Sequence, residues 1–299
     1  MKHLVYFNPI LNESLKGFNI RLIQQGKSKI NVDALTEHTC EFLNHAHQNG
    51  YNSLKMIGQD AVDSFVFYLQ NVRLNKRTKQ AIGISYIQKF REAVLRYIEY
   101  IQEVGVGESG INFPILKAPI NDKYVFTREE IKQLFDACDG SLVGMTDKCI
   151  LALLYGCGLR RKELSTLEVN EIDLTKGIIR LDKTKTKHER DVVMSPNVQR
   201  IVEEYMYNAR NLMLGSGNNE THLIVSEKGY RLSHSSIPFR LRKIAERSGM
   251  DITLSSHQLR HTIATHLLEH LSIEEVALFL GHTCIDSTQR YTHLKNNRA

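Results

Sequence analysis

The sequence predicts a mainly α-helical protein of two domains, with one small β-hairpin in the second domain. Apolar residues recur at helical spacing through most of the 299 residues. Short β-branched runs around one cationic turn occur at residues 177–194 and predict the hairpin. Residues 106–122 contain Gly and Pro without apolar periodicity, which indicates a linker between a domain at 1–105 and a domain at 123–299.

The first domain contains three predicted helices. Residues 33–47 begin with Asp33, a favourable N-cap, and residues 60–70 form a second, shorter helix. The segment 78–104 predicts a longer amphipathic helix, because its apolar residues fall on one face. Those residues are Ile84, Ile87, Phe90, Val94, Tyr97, Ile98 and Ile101. Residues 1–30 receive no assignment.

The second domain opens at Thr127, which forms a capping box with Glu130 before an apolar helix. The helix at 146–155 is apolar enough for the core, and the glycines at 156 and 158 predict a turn into a helix at 160–167. The runs GIIRL and RDVVM then flank the hairpin turn. Further helices are predicted at 197–213, 235–248, 257–270 and 273–280.

The net charge of +6 favours a polyanionic partner. Residues 1–120 carry 14 basic and 10 acidic residues, and residues 121–299 carry 25 and 23, so any DNA-binding face would have to arise by folding. No run approaches the roughly 18 apolar residues that span a bilayer, and no signal-peptide core is evident. Five cysteines without a CxxC pair are typical of a reducing compartment. We therefore expect a cytoplasmic protein with no membrane partner.

Four segments of the second domain combine cations, imidazoles and a tyrosine. Arginine holds phosphate oxygens with a planar fork, lysine can protonate a leaving oxygen, and a tyrosine becomes a nucleophile once its proton is removed. His257 and Arg260 are three residues apart on a helix that Ser255 or Ser256 could cap, so they share a face. The four segments are GCGLRRKELSTLEVNEIDL, KTKTKHER, SSHQLRHTIATHLLEH and FLGHTCIDSTQRYTHL.

The motifs GLRRKEL, HQLRHTIATHLL and LGHTCIDSTQRYTH resemble those of the tyrosine recombinase (phage integrase, Xer-type) family. The resemblance is strong over 123–294 and weak over 30–105. It implies six catalytic residues, with Glu163 in a supporting role: Arg160, Lys185, His257, Arg260, His282 and the nucleophile Tyr291. Alignment backward from Arg190 selects Lys185, whereas alignment forward from Gly177 reaches Thr184, so Lys183 and Lys187 remain alternatives.

The resemblance also implies the reaction. Two arginines and His282 would clamp the scissile phosphate while Tyr291 attacks it. Lys185 would protonate the departing 5′-oxygen and His257 would assist proton transfer. The product would be a 3′-phosphotyrosine, formed without metal, ATP or another cofactor.

The implied architecture is a C-shaped clamp on double-stranded DNA, with a SAM-like helical core-binding domain and an α+β catalytic domain. The implied assembly is a homotetramer on two duplexes that carry specific recombination sites, alone or with a second recombinase. Such enzymes integrate, excise, invert or transpose mobile elements.

Other cations are candidates for contacts with the DNA backbone, although a solvated surface explains them equally well. They are Lys76, Arg77, Lys79, Lys89, Arg91, Arg161, Lys183 and Lys187. His257 with His261 and His266 with His270 have metal-pinching spacing, but HExxH is absent from the sequence and we expect no metal site. No GxxxxGK[ST] motif occurs. Two alternatives stay open, a type IB topoisomerase and a DNA-binding protein with a silent site.

Overall fold

The computed structural model describes residues 8–116, 124–181, 190–215 and 217–281. The chain divides into two compact units, Met1–Asn121 and Asp122–Ala299, which are described separately below. Both are mostly helical, as predicted, and the second contains a three-stranded sheet. Among the described residues, no helix is both long and apolar enough to cross a bilayer.

Within its described residues, the first unit contains four α-helices that pack around an aromatic core. Phe18, Phe42, Phe65 and Phe90 are almost completely buried there, and Tyr97 donates to or accepts from Ser14 at 2.7 Å. The helices are α1 (Pro9–Gln24), α2 (Lys29–Gln48), α3 (Gln59–Asn71) and α4 (Ile84–Glu103). Helix α1 lies within the residues that the sequence left unassigned, and Asn8 caps it by accepting from the Ile10 N–H at 2.9 Å.

Two helix starts differ from the prediction. Helix α2 begins four residues before Asp33, and Ser28 is its N-cap. Helix α4 begins at Ile84 instead of residue 78, because residues 74–81 form a closed loop with a Leu74–Ala81 bridge. Within that loop the Asn75 side chain accepts from the backbone N–H groups of residues 77 and 78.

The described part of the predicted linker packs against the first unit. Phe113 is completely buried, and Arg91 Nε donates to its carbonyl at 2.8 Å. The Gln59 side chain both donates to and accepts from the backbone of Asn112, at 2.9 and 2.8 Å. Residues 112–113 are therefore held by two elements of the first unit.

The second unit contains eight helices within its described residues. They are α5 (Arg128–Asp136), α6 (Leu142–Leu151), α7 (Arg161–Thr166), α8 (Pro196–Glu204), α9 (Asn211–Leu214), α10 (Ser236–Ser248), α11 (Ser256–Leu267) and α12 (Ile273–Leu280). π-Helical turns extend α6 through Ala152–Gly156 and join α8 to α9 through Tyr205–Arg210. The predicted Thr127–Glu130 capping box is confirmed, whereas α11 ends three residues before residue 270.

The sheet is antiparallel, in the order β1 (Ile172–Asp173), β2 (Ile178–Leu181) and β3 (Arg190–Val193). Strands β2 and β3 confirm the predicted hairpin, and its turn at 182–189 lies outside the described residues. Ile179 and Val192 face the core of the unit, where they join the buried end of α6. This core fixes the turn that follows α6 and leads into the candidate site.

Candidate active site

A tight turn at Gly158 brings the end of α6 against the end of α12. Gly158 has φ +60°, a conformation that favours glycine. A Cβ at this position would lie 2.9 Å from Leu280 Cδ2, so a larger residue would force the two elements apart. The π-helical turn immediately before it is a feature often found at functional sites.

Arg160 and Glu163 form a closed pair at the start of α7. Arg160 is the N-cap residue, and its backbone N–H donates to Glu163 Oε2 at 2.7 Å. Its guanidinium Nη1 donates to Glu163 Oε1 at 2.8 Å. The Glu163 side chain is only 6% exposed, while that of Arg160 is 25% exposed. The carboxylate is thus a buried support, and the guanidinium reaches the surface.

Arg190, at the first position of β3, also binds Glu163. Its Nη2 lies 3.0 Å from Glu163 Oε2, and its Nη1 donates to the carbonyl of Leu280. Burial lowers the pKa of this guanidinium, and the nearby charge of Glu163 acts in the opposite direction. Sequence reasoning used Arg190 only as an alignment marker. The available signal was strand alternation, which puts Arg190 on the same face as the buried Val192.

Helix α11 supplies Arg260 and His257. Ser255 caps the helix by accepting from the Gln258 N–H at 3.2 Å, which resolves the choice between Ser255 and Ser256. Arg260 is 5% exposed and donates to the carbonyl of Gly158 and, at 2.5 Å, to that of Leu280. His257 lies one turn earlier on the helix and is exposed.

The three arginines converge on the C-terminal end of α12. Arg190 and Arg260 donate to the carbonyl of Leu280, and Arg160 Nη2 donates to that of Gly281 at 3.1 Å. The last carbonyls of a helix carry partial negative charge, which favours cations there. Gly281 is the left-handed C-cap of α12, with φ +62° and ψ +50°. The next residue in the chain is His282, so the cluster lies at the entrance to the segment that carries it.

The remaining predicted catalytic residues, Lys185, His282 and Tyr291, lie outside the described residues, as do Lys183 and Lys187. The structure therefore brings together Arg160, Arg260 and Glu163 and places His257 on the helix of Arg260. Within the described ranges, no group of three His, Cys, Asp or Glu residues could hold a metal ion.

The candidate DNA-contacting cations have different surroundings. Lys76, Arg77 and Lys79 are exposed on the 74–81 loop, where Lys79 has φ +57°. Lys89 is exposed and its ammonium lies 5.6 Å from the centre of the Tyr86 ring. Arg91 is half-buried through its bond to Phe113, whereas Arg161 Nε donates to His234 Nε2 at 2.9 Å.

Comparison with known proteins identifies the family. Tyrosine recombinase XerC of Herpetosiphon aurantiacus is 28% identical over 286 residues, 93% of this chain and 89% of that protein. Tyrosine recombinase XerD of Pseudomonas putida is 32% identical over 190 residues, 63% of this chain and 62% of that protein, which is less than two thirds of its length.

Solved structures show the same fold. The structure of the Tn1549 transposon integrase in complex with transposon right end DNA matches with a TM-score of 0.75 and 16% identity, over 93% of this chain and 94% of that chain. The phage integrase family matches residues 124–298, more than half of the chain and nearly all of the second unit. The chain therefore belongs to the phage integrase family, the tyrosine recombinases.

Proposed function

We propose that the protein is a site-specific DNA recombinase that cleaves and rejoins strands through a 3′-phosphotyrosine at Tyr291. The observation that carries this proposal is the arginine cluster next to His282. Arg160 and Arg190 bind the carboxylate of Glu163, and Arg260 binds the same end of α12, so three cations face one carboxylate and positive charge is in excess. Such a cluster suits an anionic phosphate whose charge grows in the transition state.

Arg160 is the best placed of the three to bind a phosphate oxygen. A guanidinium has five N–H donors. The side chain of Arg160 donates one to Glu163 and one to Gly281, and it remains one quarter exposed. Arg160 can thus bind an anion while it keeps its bonds to Glu163 and Gly281. In this proposal Arg260 and His282 complete the clamp around the same phosphate.

The proposed chemistry needs no external energy source. Tyr291 Oη forms a bond to phosphorus while the bond from phosphorus to the 5′-oxygen breaks. Lys185 gives that oxygen its proton, and His257 accepts the proton that the Tyr291 phenol loses, since an imidazole can take up a proton near neutral pH. The phosphotyrosyl bond keeps the energy of the phosphodiester, so a 5′-hydroxyl of the same or another strand can reverse the step. We accordingly propose a reaction independent of metal and ATP.

The proposed partner is double-stranded DNA with specific recombination sites. The solved recombinases that this chain resembles include XerH bound to its difH substrate, in a pre-cleavage complex. We propose that a core-binding domain (1–105) and a catalytic domain (123–299), joined by 106–122, both contact the duplex. A homotetramer would act on two duplexes, alone or with a second recombinase, in the cytoplasm. Its role would be to move or invert a mobile element.

Lys76, Arg77, Lys79 and Lys89 would contact phosphates, because they are exposed cations of the first unit. Arg91 belongs to the support of that unit, since its Nε is bonded to Phe113. Arg161 follows Arg160 in the sequence, and its side chain is half-exposed. We therefore propose that it contacts the DNA backbone from the catalytic domain.

The test is trapping of a covalent protein–DNA adduct on a denaturing gel. Nicked duplexes from the DNA that flanks the gene would be incubated with wild type, Tyr291→Phe and Tyr207→Phe, in the presence of EDTA. Tyr207 is an exposed tyrosine of the same unit and provides a matched control. We expect adducts with wild type and Tyr207→Phe, and none with Tyr291→Phe. An adduct that persists in Tyr291→Phe would refute the assignment of the nucleophile.

A further inference from the structure

We propose that Arg190 is a positioning residue, which holds Glu163 and the C-terminal end of α12 so that Arg160 and residues 280–281 keep a fixed geometry. This inference rests on the proposed function and adds a residue outside the six that the family resemblance implies. Arg190 is the first residue of β3, and its guanidinium is bonded to two other elements of the site.

The contacts of Arg190 connect three elements. Through Nη2 it binds Glu163 Oε2 at 3.0 Å, and through Nη1 it binds the carbonyl of Leu280. It is paired with Leu181 in the register of β2 and β3, so it closes the described end of the hairpin. One guanidinium therefore ties the sheet to the support of Arg160 and to the end of α12.

Burial argues that Arg190 acts through its neighbours and not on DNA directly. Its side chain is only 10% exposed. Its Nε is buried and has no hydrogen-bond partner among the described residues. Gly281 covers the guanidinium so closely that a Cβ there would lie 2.5 Å from Arg190 Cδ and 2.9 Å from Cζ. A phosphate has little access to a group enclosed in this way.

Arg190 also helps to fix the orientation of the Glu163 carboxylate. Oε2 accepts from the backbone of Arg160 and from Arg190, while Oε1 accepts from the Arg160 guanidinium. Loss of Arg190 would leave the Glu163 carboxylate held by Arg160 alone, without its link to the sheet and to the end of α12. Lysine cannot replace it, because a single ammonium lacks the planar fork that reaches Glu163 and Leu280 together.

The experiment compares Arg190→Met, Arg190→Lys, Glu163→Gln and the double variant Arg190→Met with Glu163→Gln. Arg180→Met is the matched control, since Arg180 lies on β2 of the same sheet with its side chain 55% exposed. Each variant is assayed for its DNA dissociation constant and for its rate of adduct formation at saturating DNA. Thermal unfolding establishes that each variant is folded. If Arg190→Met is unfolded, Arg190→Lys takes its place in the assays.

We expect Arg190→Met to slow adduct formation on the order of 10²-fold, the cost typical of a small displacement of catalytic groups, with DNA affinity changed less than about twofold. In the Glu163→Gln background the same substitution should cost less than about threefold, because residues that act as a unit are non-additive. The rate of adduct formation should fall at least about tenfold in Arg190→Lys, since lysine lacks the planar fork of the guanidinium.

Three results would overturn the inference. A loss of affinity as large as the loss of rate would make Arg190 a DNA contact. Full additivity with Glu163→Gln would make the two residues independent. An effect no larger than that of Arg180→Met would leave Arg190 without a role.

Hydrogen exchange separates this inference from the proposed function. Amides at 158–163 and 273–281 should exchange faster in Arg190→Met than in Arg180→Met, with or without catalysis, and equal exchange would overturn the inference. If wild type forms no adduct, the proposed function fails, and the exchange result alone then decides the role of Arg190.

Discussion

Gly281→Ala tests the packing between the end of α12 and Arg190. Gly281 has φ +62°, and an added Cβ would lie 2.5 Å from Arg190 Cδ, too close for any real contact. Arg190 could make room only by moving its guanidinium, which is held by Glu163 and by the carbonyl of Leu280. The substitution should therefore break at least one charge-assisted hydrogen bond.

The expected loss has two parts. A left-handed conformation costs a non-glycine residue about 1–2 kcal/mol. The lost hydrogen bond to a charged group adds roughly 1.5–3 kcal/mol. We expect the free energy of unfolding of the second unit to fall by about 2.5–5 kcal/mol.

Gly249→Ala measures the first part, so its difference from Gly281→Ala isolates the second. Gly249 is also a left-handed C-cap, at the end of α10, with φ +70°, and nothing lies within 4 Å of a Cβ built there. In Gly249→Ala the free energy of unfolding should fall by the conformational cost alone. Denaturant unfolding of both variants should differ by about 2 kcal/mol, or about 4–8 °C in thermal midpoint for a unit of this size. Equal losses would refute the proposed contact, as would an unchanged difference in an Arg190→Ala background.

Two further predictions concern the 74–81 loop, which we propose contacts DNA, and a buried charge. Replacing Lys76, Arg77 and Lys79 with Gln should make the slope of log affinity against log salt concentration shallower by about 2.7, at about 0.9 per phosphate contact. The control Arg91→Gln should leave the slope unchanged. If the triple variant and wild type have equal slopes, the loop does not contact DNA. Asp147→Ala should lower the free energy of unfolding by about 3 kcal/mol in urea, because the 1% exposed carboxylate pairs with Arg240 and Arg247; the exposed Asp136→Ala should cost under about 1 kcal/mol.

Local signals predicted much of this fold correctly. The capping box at Thr127, the hairpin flanks and the start of α12 depend on neighbouring residues, so the sequence contains the relevant information. Helix α1 was missed although Leu11, Leu15, Phe18 and Leu22 have helical spacing. Gly17 lies inside that helix, where glycine lowers helix propensity. In the structure it instead lets the Tyr100 ring approach, since a Cβ at residue 17 would lie 3.1 Å from Tyr100 Cζ.

The supporting contacts of the site were beyond prediction from spacing. Arg190 and Glu163 are 27 positions apart, and Arg190 and Leu280 are 90 positions apart. No periodicity links residues on β3, α7 and α12. The family resemblance supplies the residues that would touch phosphate, but it does not say which groups hold them. Glu163 was expected to support the site by orienting an arginine or the hairpin, and in the structure it binds Arg160 and Arg190, the first residue of β3.

The acceptors that hold the arginine cluster neutralise it only in part. Glu163 contributes one formal negative charge against Arg160, Arg190 and Arg260, and the end of α12 contributes about half a charge. The cluster thus retains roughly +1.5 charges by this count. Its donors are already fixed, so an anion would be stabilised without reorganisation of the protein. The carbonyls that hold these cations belong to residues 280 and 281. The cluster in which Arg160 and Arg260 are proposed to bind phosphate consequently also holds residues 280 and 281, which directly precede His282.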